Sequence, residues 1–456
     1  MNLVENLIAG ADLNAPALIS CRETISYGEL FQRVDKAAGE IARTPAARVG
    51  LDCPNSIEHV VLALAIVRAG KCLVPLAAEL AAPERARLIR DTRLGAIVNA
   101  TGTIKELELE PVGDFPEEEL AALNPAFIRF SSGTTGSSKG VVLSHERLLE
   151  RITAANRGLR ISPSDRVLWL LPMAHHFAVS ILLYLLHGAT TIIATSLLAE
   201  DLLTSAREHG ATVVYGSPLH HALLAAEASD RAWPTLRLAV STAAALPVHT
   251  AEAFDRRFGV ALSQGLGIIE VGLPLLNLQA ARSKPKSVGR PLPDFQFKLG
   301  ADGELFLRGP GLLDAYLSPW QPSHRLLENG WFRTGDLARM DEDGDLHLLG
   351  RASSVINVAG LKCFPEEVEA VLGQLPEVRA VRVFGEAHAR VGSVPIAEIV
   401  PSDPIAPPAV VALAKHCRQA LARYKVPVEF RFVDKLPLTA SGKVRRAVVA
   451  PAAEQS

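Results

Sequence analysis

The chain has 456 residues, enough for one large and one small core, and its 47 basic and 49 acidic side chains leave a net charge of −2. That balance argues against a nucleic-acid footprint or a polybasic membrane patch, so no nucleic-acid partner is expected. Cys21, Cys53, Cys72, Cys363 and Cys417 are odd in number, scattered and never in C-x-x-C spacing, which argues against disulfides and structural zinc and for reduced thiols in a cytoplasmic protein.

Taken in chain order, the N-terminal MNLVENLIAG carries Glu5 and has no basic region ahead of an apolar block, unlike a secretory signal. Short buried strands such as RVGLD, AIVNA, TVVYG and RLAVS alternate with helical stretches over 48–101, 166–217 and 236–264, the rhythm of α/β layers with mostly parallel sheets. AFIRF and GVVLS, on either side of the stretch Ser131 to Gly140, read as two strands joined by a loop, with Ser144 as the N-cap of an amphipathic helix. The uncharged run from Phe177 to Ala199 is interrupted by His187, Gly188, Thr190 and Thr191. It reads as a helix, a glycine stop and a buried strand rather than a stable membrane insertion. After about Ser287 the pattern turns into strand-rich hairpins with Asp-Gly turns, FQFKLGADGELFLRG and LARMDEDGDLHLLG. Beyond Gly350 a fresh βαβ-like pattern begins, with helices over 365–372 and 409–423 and a strand over 378–384. The expected fold class is α/β. A large N-terminal domain, 1–350, has layered, mostly parallel sheets with helices plus a β-rich subdomain, and a small mobile α+β domain, 351–456, begins at Gly350 to Ser354.

The loop itself, SSGTTGSSKG, packs hydroxyls, three glycines and one lysine into ten residues with no acid among them. Glycines let backbone N–H groups close on an anion, Ser and Thr hydroxyls donate to phosphate oxygens, and Lys139 supplies a mobile positive charge, so the composition suits a polyphosphate. A plain surface loop has the same composition. A Walker loop needs Gly directly before the lysine and Ser or Thr after it, whereas Lys139 lies between Ser138 and Gly140. GSSKG also matches the nucleophile elbow of serine hydrolases with Ser138 as nucleophile. That elbow turns from strand into helix, and the strand-like VVL after it weighs against that match.

SSGTTGSSKG, QGLGIIE (264–270), TGD (334–336), GRASSVINVAG (350–360) and PLTASGK (437–443) occur in the order and spacing of the adenylate-forming superfamily. The chain therefore resembles acyl- and aryl-CoA synthetases, nonribosomal peptide adenylation domains and luciferases, from SYGEL near Ser26 to Lys443. The resemblance implies an enzyme, an AMP-forming acid–thiol ligase. A carboxylate attacks the α-phosphorus of ATP to give an acyl-adenylate, and a thiol, the phosphopantetheine of CoA or of an acyl carrier protein, then takes the acyl group. Two anions must meet, so positive charge and preorganised donors should dominate, with Mg²⁺ helping. By the resemblance, Ser131, Ser132, Gly133, Thr134, Thr135, Gly136 and Lys139 hold the phosphates, Thr134 and Lys139 also acting in catalysis. Lys443 is the cation that bridges the carboxylate and the α-phosphate. Asp336 accepts hydrogen bonds from the ribose hydroxyls with help from Arg351. Ala243 and Ala244, in STAAALP, and Gly265, Leu266 and Gly267 border the nucleotide. Glu270 is the magnesium ligand, a single carboxylate being what Mg²⁺ commonly takes beside phosphates and water.

LPMAHHF (171–177) matches the family segment that lines the acid pocket, with His175, His176 and Phe177 beside Gly265 and Gly267. Read as extended backbone, the segment points His175 and His176 oppositely, against a zinc pair. No acid appears between Asp165 and Glu200, so an α-amino group would stay unpaired. The expected substrate is an aryl or other non-amino carboxylic acid, with a medium- or long-chain fatty acid as the alternative. Three positions depart from the family. Leu266 stands where an aromatic residue is usual and Ile269 where Thr or Ser is usual, each loss worth about 1 kcal/mol. Ser353 stands where the hinge is commonly Asp or Lys, at the point where the small domain would rotate. A catalytically weakened acyl- or nucleotide-binding homologue is therefore the rival reading. The absence of a fused carrier domain after Lys443 leaves a free-standing carrier-protein ligase and a CoA ligase both open.

Overall fold

β-Branched runs form the strands of two sheets in the first compact unit of the computed structural model, which takes in, among the described residues, those within 2–130, 139–297 and 307–332. The structure describes residues 2–108, 115–130, 139–194, 196, 198–229, 231–359, 361–388 and 390–437. The roles given to Ser131, Ser132, Gly133, Thr134, Thr135, Gly136 and Lys443 thus concern residues outside the described set.

In the first sheet, eight strands among the described residues, Arg48–Asp52 lies parallel between Cys72–Pro75 and Ala96–Asn99. Pro125–Phe130 joins Cys72–Pro75 in parallel and then pairs antiparallel with Gly140–Ser144, the two-strand arrangement read from AFIRF and GVVLS. In the second sheet, nine strands among the described residues, Leu262–Ile268, Leu238–Ser241, Val213–Gly216, Arg166–Trp169, Thr190–Ile193 and Pro16–Ile19 run parallel in that spatial order. Leu168, Ile192, Val214 and Ala239 from these strands are fully buried in one apolar cluster with Leu203, Leu224 and Phe254. The C-terminal ends of parallel strands are where open α/β sheets take their ligands. LPMAHHF comes after Arg166–Trp169, STAAALP straddles the end of Leu238–Ser241, and QGLGIIE closes Leu262–Ile268, so three of the motifs leave strands of one sheet at that edge.

The helix His145–Leu159 begins where expected, with Ser144 Oγ accepting from Arg147 N at 3.3 Å. Its buried stripe is Leu148, Arg151, Ile152, Ala155 and Leu159, so an arginine occupies an apolar face. The 177–199 run resolves into the helix Ile181–Leu186, Gly188 at φ +70° and the strand Thr190–Ile193. Among the described residues no helix is long and apolar enough to cross a membrane.

The second unit takes in, among the described residues, 298–306 and 333–437. The boundary read at Gly350 to Ser354 thus lies inside this unit. Within it, 336–340 pairs antiparallel with 346–351 through the DEDGD turn, where Gly344 has φ +86°, and the strand 346–351 packs against the helix Pro365–Leu372. The long hairpin Val378–His388 and Gly392–Pro401 continues through the helix Val410–Ala420 into Glu429–Phe432, which pairs parallel with Gly392–Pro401. The helix Pro365–Leu372 has the limits read from sequence, set by Pro at its first turn and Gly373 at its end. Val368, Leu372, Val383, Ile399, Leu413 and Cys417 form this unit's core.

His59 and His221 are the most deeply buried histidines among the described residues, and both are neutral. His59 is 1 % exposed and its Nδ1–H donates to Cys53 O at 2.8 Å, while His221 is 0 % exposed and its Nε2–H donates to Val240 O at 3.0 Å. Burial pushes each ring down to about 4. The folded state therefore resists protonation that the unfolded chain accepts below about 6.5, so stability is full above that pH and falls as pH drops toward 4. Urea unfolding at stepped pH should show a decline of up to about 3 kcal/mol per histidine over that window. A stability that stays flat between pH 6.5 and 4.5 contradicts this assignment.

Candidate active site

The described edge of the SSGTTGSSKG loop is Lys139, whose Nζ lies 4.6 Å from the centroid of the Tyr316 ring. Tyr316 Oη donates to Glu270 Oε1 at 2.9 Å. A cation, a phenol and a carboxylate from three separate stretches of chain thus form one row. The sequence reading supplied Lys139 and Glu270 but missed Tyr316, which is distant from both in sequence.

The row is held from behind by Arg151. Its guanidinium is 1 % exposed and donates to Ile269 O at 2.8 Å, to Gly311 O at 3.0 Å and to Glu270 O at 3.5 Å. Leu313 N donates to Glu270 O at 2.8 Å, and Asp314 accepts from Ser144 N at 2.6 Å. Burial pulls Arg151 down to about 9, which still leaves it charged at neutral pH. An arginine on an apolar helical stripe was the available signal for this residue. Ile269, one of the three departures from the family, is 7 % exposed. Its side chain is turned into the protein, and its carbonyl is the group Arg151 uses.

QGLGIIE forms the end of a strand and the start of a turn into Gly272–Leu276. At Gly265 a Cβ would lie 3.1 Å from Leu273 and Leu276 side chains, so that glycine serves close packing. Gly267 is exposed, with Thr242 Oγ1 3.6 Å from where a Cβ would be, and Thr242 Oγ1 donates to Gly265 O at 3.4 Å. This brings QGLGIIE beside STAAALP. Ala243 is half-buried at φ +73°, a conformation that alanine rarely adopts, Ala244 is exposed, and Leu266 is half-buried. Gln264 Oε1 accepts from Leu246 N at 2.6 Å and fixes the far side of the small-residue segment.

The acid-pocket segment corrects one expectation. Met173–His176 is a single helical turn after Pro172, closed by Phe177 N donating to Met173 O at 2.9 Å. His175 and His176 are therefore separated by about 100° around a helix and are not opposed across a strand. His176 meets Trp169 edge-on at 6.1 Å, and Phe177 is 1 % exposed against His59. Asn55 spans the turn's entrance, its Nδ2 donating to Leu171 O and its Oδ1 accepting from Met173 N, both at 2.8 Å.

In the second unit Asp336 and Arg351 face each other across the hairpin, Cα partners in register, with Arg351 Nε 2.8 Å from Asp336 Oδ1. Arg351 Nη1 also donates to Thr334 O at 2.8 Å. Asp336 lies in a strand, its side chain 11 % exposed, with the TGD glycine at φ +74° before it. Ser353 is exposed in the short 3₁₀ turn Ala352–Ser354 directly after the arginine.

The model of the AMP-binding enzyme family matches residues 8–317, more than half of the chain, and that of the AMP-binding enzyme C-terminal domain matches 367–443. This chain belongs to the AMP-binding enzyme family. It is 31 % identical over 493 residues to naringenin synthase of Pestalotiopsis fici, covering 94 % of this chain and 18 % of that protein. It is 32 % identical over 336 residues to sulfoacetate–CoA ligase of Cupriavidus necator, covering 71 % of this chain and 66 % of that one. The chain thus spans about a fifth and about two thirds of these two curated relatives. The solved o-succinylbenzoate CoA synthetase of Bacillus subtilis, bound to its acyl-adenylate intermediate, superposes with a TM-score of 0.85 at 25 % identity over 97 % of this chain and 96 % of that one. Membership in the AMP-binding enzyme family agrees with the resemblance read from the five motifs.

Glu270 fits a magnesium ion. Tyr316 engages Oε1, and among the described residues no partner takes Oε2, which leaves one oxygen of a half-buried carboxylate for a cation. Replacing Tyr316 by Phe keeps the ring under Lys139 and removes the bond to Glu270. The variant should need about tenfold more Mg²⁺ for half-maximal nucleotide turnover, with its melting midpoint within about 3 °C of the parent. An unchanged Mg²⁺ requirement removes Tyr316 from the site.

Proposed function

We propose that this protein activates a non-amino, preferably aryl, carboxylic acid with ATP to an acyl-adenylate and passes the acyl group to a thiol. The observation that carries the reading is the row Lys139, Tyr316, Glu270 beside the start of the strand Gly140–Ser144, which leaves the hydroxyl- and glycine-rich loop. A compact ammonium suits a phosphate oxygen, and its seat on an aromatic face keeps it aimed. Glu270 would hold Mg²⁺, which when bound neutralises phosphate charge that would otherwise repel the incoming carboxylate. Asp336 can accept from both hydroxyls of a ribose, and Arg351, bonded to its Oδ1, keeps the carboxylate oriented. Lys443 supplies the cation between the two reacting anions, a role carried over from the family motif. Gly265, Gly267, His175 and His176 border the acid, and rotation about Ser353 exchanges adenylation for thiol transfer.

Two relatives of known structure or activity are named as CoA ligases or synthetases, which supports CoA as the thiol acceptor. An acyl carrier protein offers the same phosphopantetheine and is separated by direct assay. The cytoplasm suits the reduced cysteines, four of which are buried.

The test is carboxylate-dependent exchange of labelled pyrophosphate into ATP over a panel of aryl, fatty and amino acids, with Lys443→Ala as control. Aryl acids should give the strongest exchange, amino acids none, and the variant should lose about a hundredfold to a thousandfold. A panel in which no acid supports exchange favours the degenerate binder and sinks the ligase reading.

A further inference from the structure

Arg129 lies near the end of the strand Pro125–Phe130, just before the Ser131 to Gly140 loop. Its strand neighbours Ile128 and Phe130 pack with Leu120 and Val142, so the alternation of the strand turns Arg129 to the other face. There its Nη1 donates to the backbone carbonyl of His175, in the acid-pocket turn. Its Nε–H is out of water and has no hydrogen-bond partner. Among the described residues no carboxylate pairs with it, and the eight residues after Phe130, SSGTTGSS, contain none. Glu270 is the one carboxylate whose charge reaches it through space, and burial still pulls the guanidinium down to about 10, so it is a cation at neutral pH. A half-buried cation that keeps a donor unused and has no carboxylate in direct contact is costly unless a ligand completes it. A guanidinium presents its donors as a planar fork that fits carboxylate and phosphate oxygens.

We propose that Arg129 is the anchor for an anionic oxygen of the bound substrates, placed where the acid-pocket turn meets the strand that feeds the phosphate loop. Two substrates can bring that oxygen, the carboxylate of the acid and a phosphate of ATP, and the chemistry of recognition is the same. The assignment deepens the acid-activation reading and rests on it. It also bears on Ile269: a hydroxyl lost there is offset by a charged donor from another strand.

Calorimetry on the full chain tests it with two matched pairs, each an anion and its neutral counterpart. The first pair is benzoate, or the acid that the exchange panel selects, against its primary amide. The second is α,β-methylene ATP against adenosine. In Arg129→Gln the preference for the anion should fall at least about tenfold in one pair, which identifies the source of the oxygen, and Arg129→Lys should recover part of it. An arginine that only props the His175 carbonyl would weaken charged and neutral members in parallel. Unchanged ratios in both pairs therefore overturn the proposal. Melting midpoints are read for both variants, and if the Gln variant does not fold, the Lys variant's ratios decide. Should the parent show no exchange with any acid, the acid-activation reading fails by itself, and the nucleotide pair still decides the fate of Arg129.

Discussion

A single buried guanidinium ties the turn that carries Glu270 to the segment that leads to Tyr316. Arg151 lies on the apolar stripe of the helix His145–Leu159 and spends its donors on three backbone carbonyls, those of Ile269, Glu270 and Gly311. Unmaking the bonds to Ile269 O and Gly311 O removes buried hydrogen bonds at about 1–3 kcal/mol each, whereas Glu270 O keeps its bond from Leu313 N. The consequence is positional. The turn that carries Glu270 and the segment that leads to Tyr316 are fixed to the same side chain, so carboxylate and phenol meet at 2.9 Å without either stretch being part of a helix. Gly311 is the point of closest approach. Its φ is +68°, and a Cβ there would lie 2.6 Å from Arg147 O, so only glycine lets that segment lie on the helix.

The second unit solves its own problem by register. Asp336 and Arg351 are partners across an antiparallel hairpin, and the strand irregularity between Leu337 and Ala338 falls right after Asp336. Gly350, at φ +142°, precedes the arginine where a Cβ would meet the Glu366 carboxylate at 2.3 Å, so the hairpin's end is shaped to lie against the helix that starts at Pro365. A carboxylate and the guanidinium that orients it are thus placed by the pleat as direct partners across the two strands.

Local rules made much of the fold legible. Four-residue apolar runs became strands because β-branched residues in such lengths have few other uses, Asp-Gly marked hairpin turns, and Ser144 capped its helix. The helix over 365–372 could be bounded to the residue because a proline opens it and a glycine closes it. What stayed hidden was long-range or too short for periodicity. LPMAHHF was read as extended because four residues show no helical repeat, yet Pro172 starts a turn there. Tyr316 carries no local sign of its partner Glu270. Arg151 had a sign, a charge on an apolar face, which is easily taken for a helix tolerating one arginine. The compact units meet at 332–333, ahead of the hairpin 336–340 and 346–351, where the sequence shows no change of pattern to mark the junction. Motif spacing named Asp336 and Arg351, but only the register shows that they bond to each other.

The most direct measurement is amide hydrogen exchange in Arg151→Met. Leu313 N donates to Glu270 O, so this amide reports whether the two segments remain joined. If the guanidinium is what joins them, the Leu313 and Gly311 amides should exchange at least about tenfold faster in the variant, while the strand Val213–Gly216 keeps its protection. Protection at Leu313 equal to that of the parent, or a loss spread evenly over both sheets, would contradict the account.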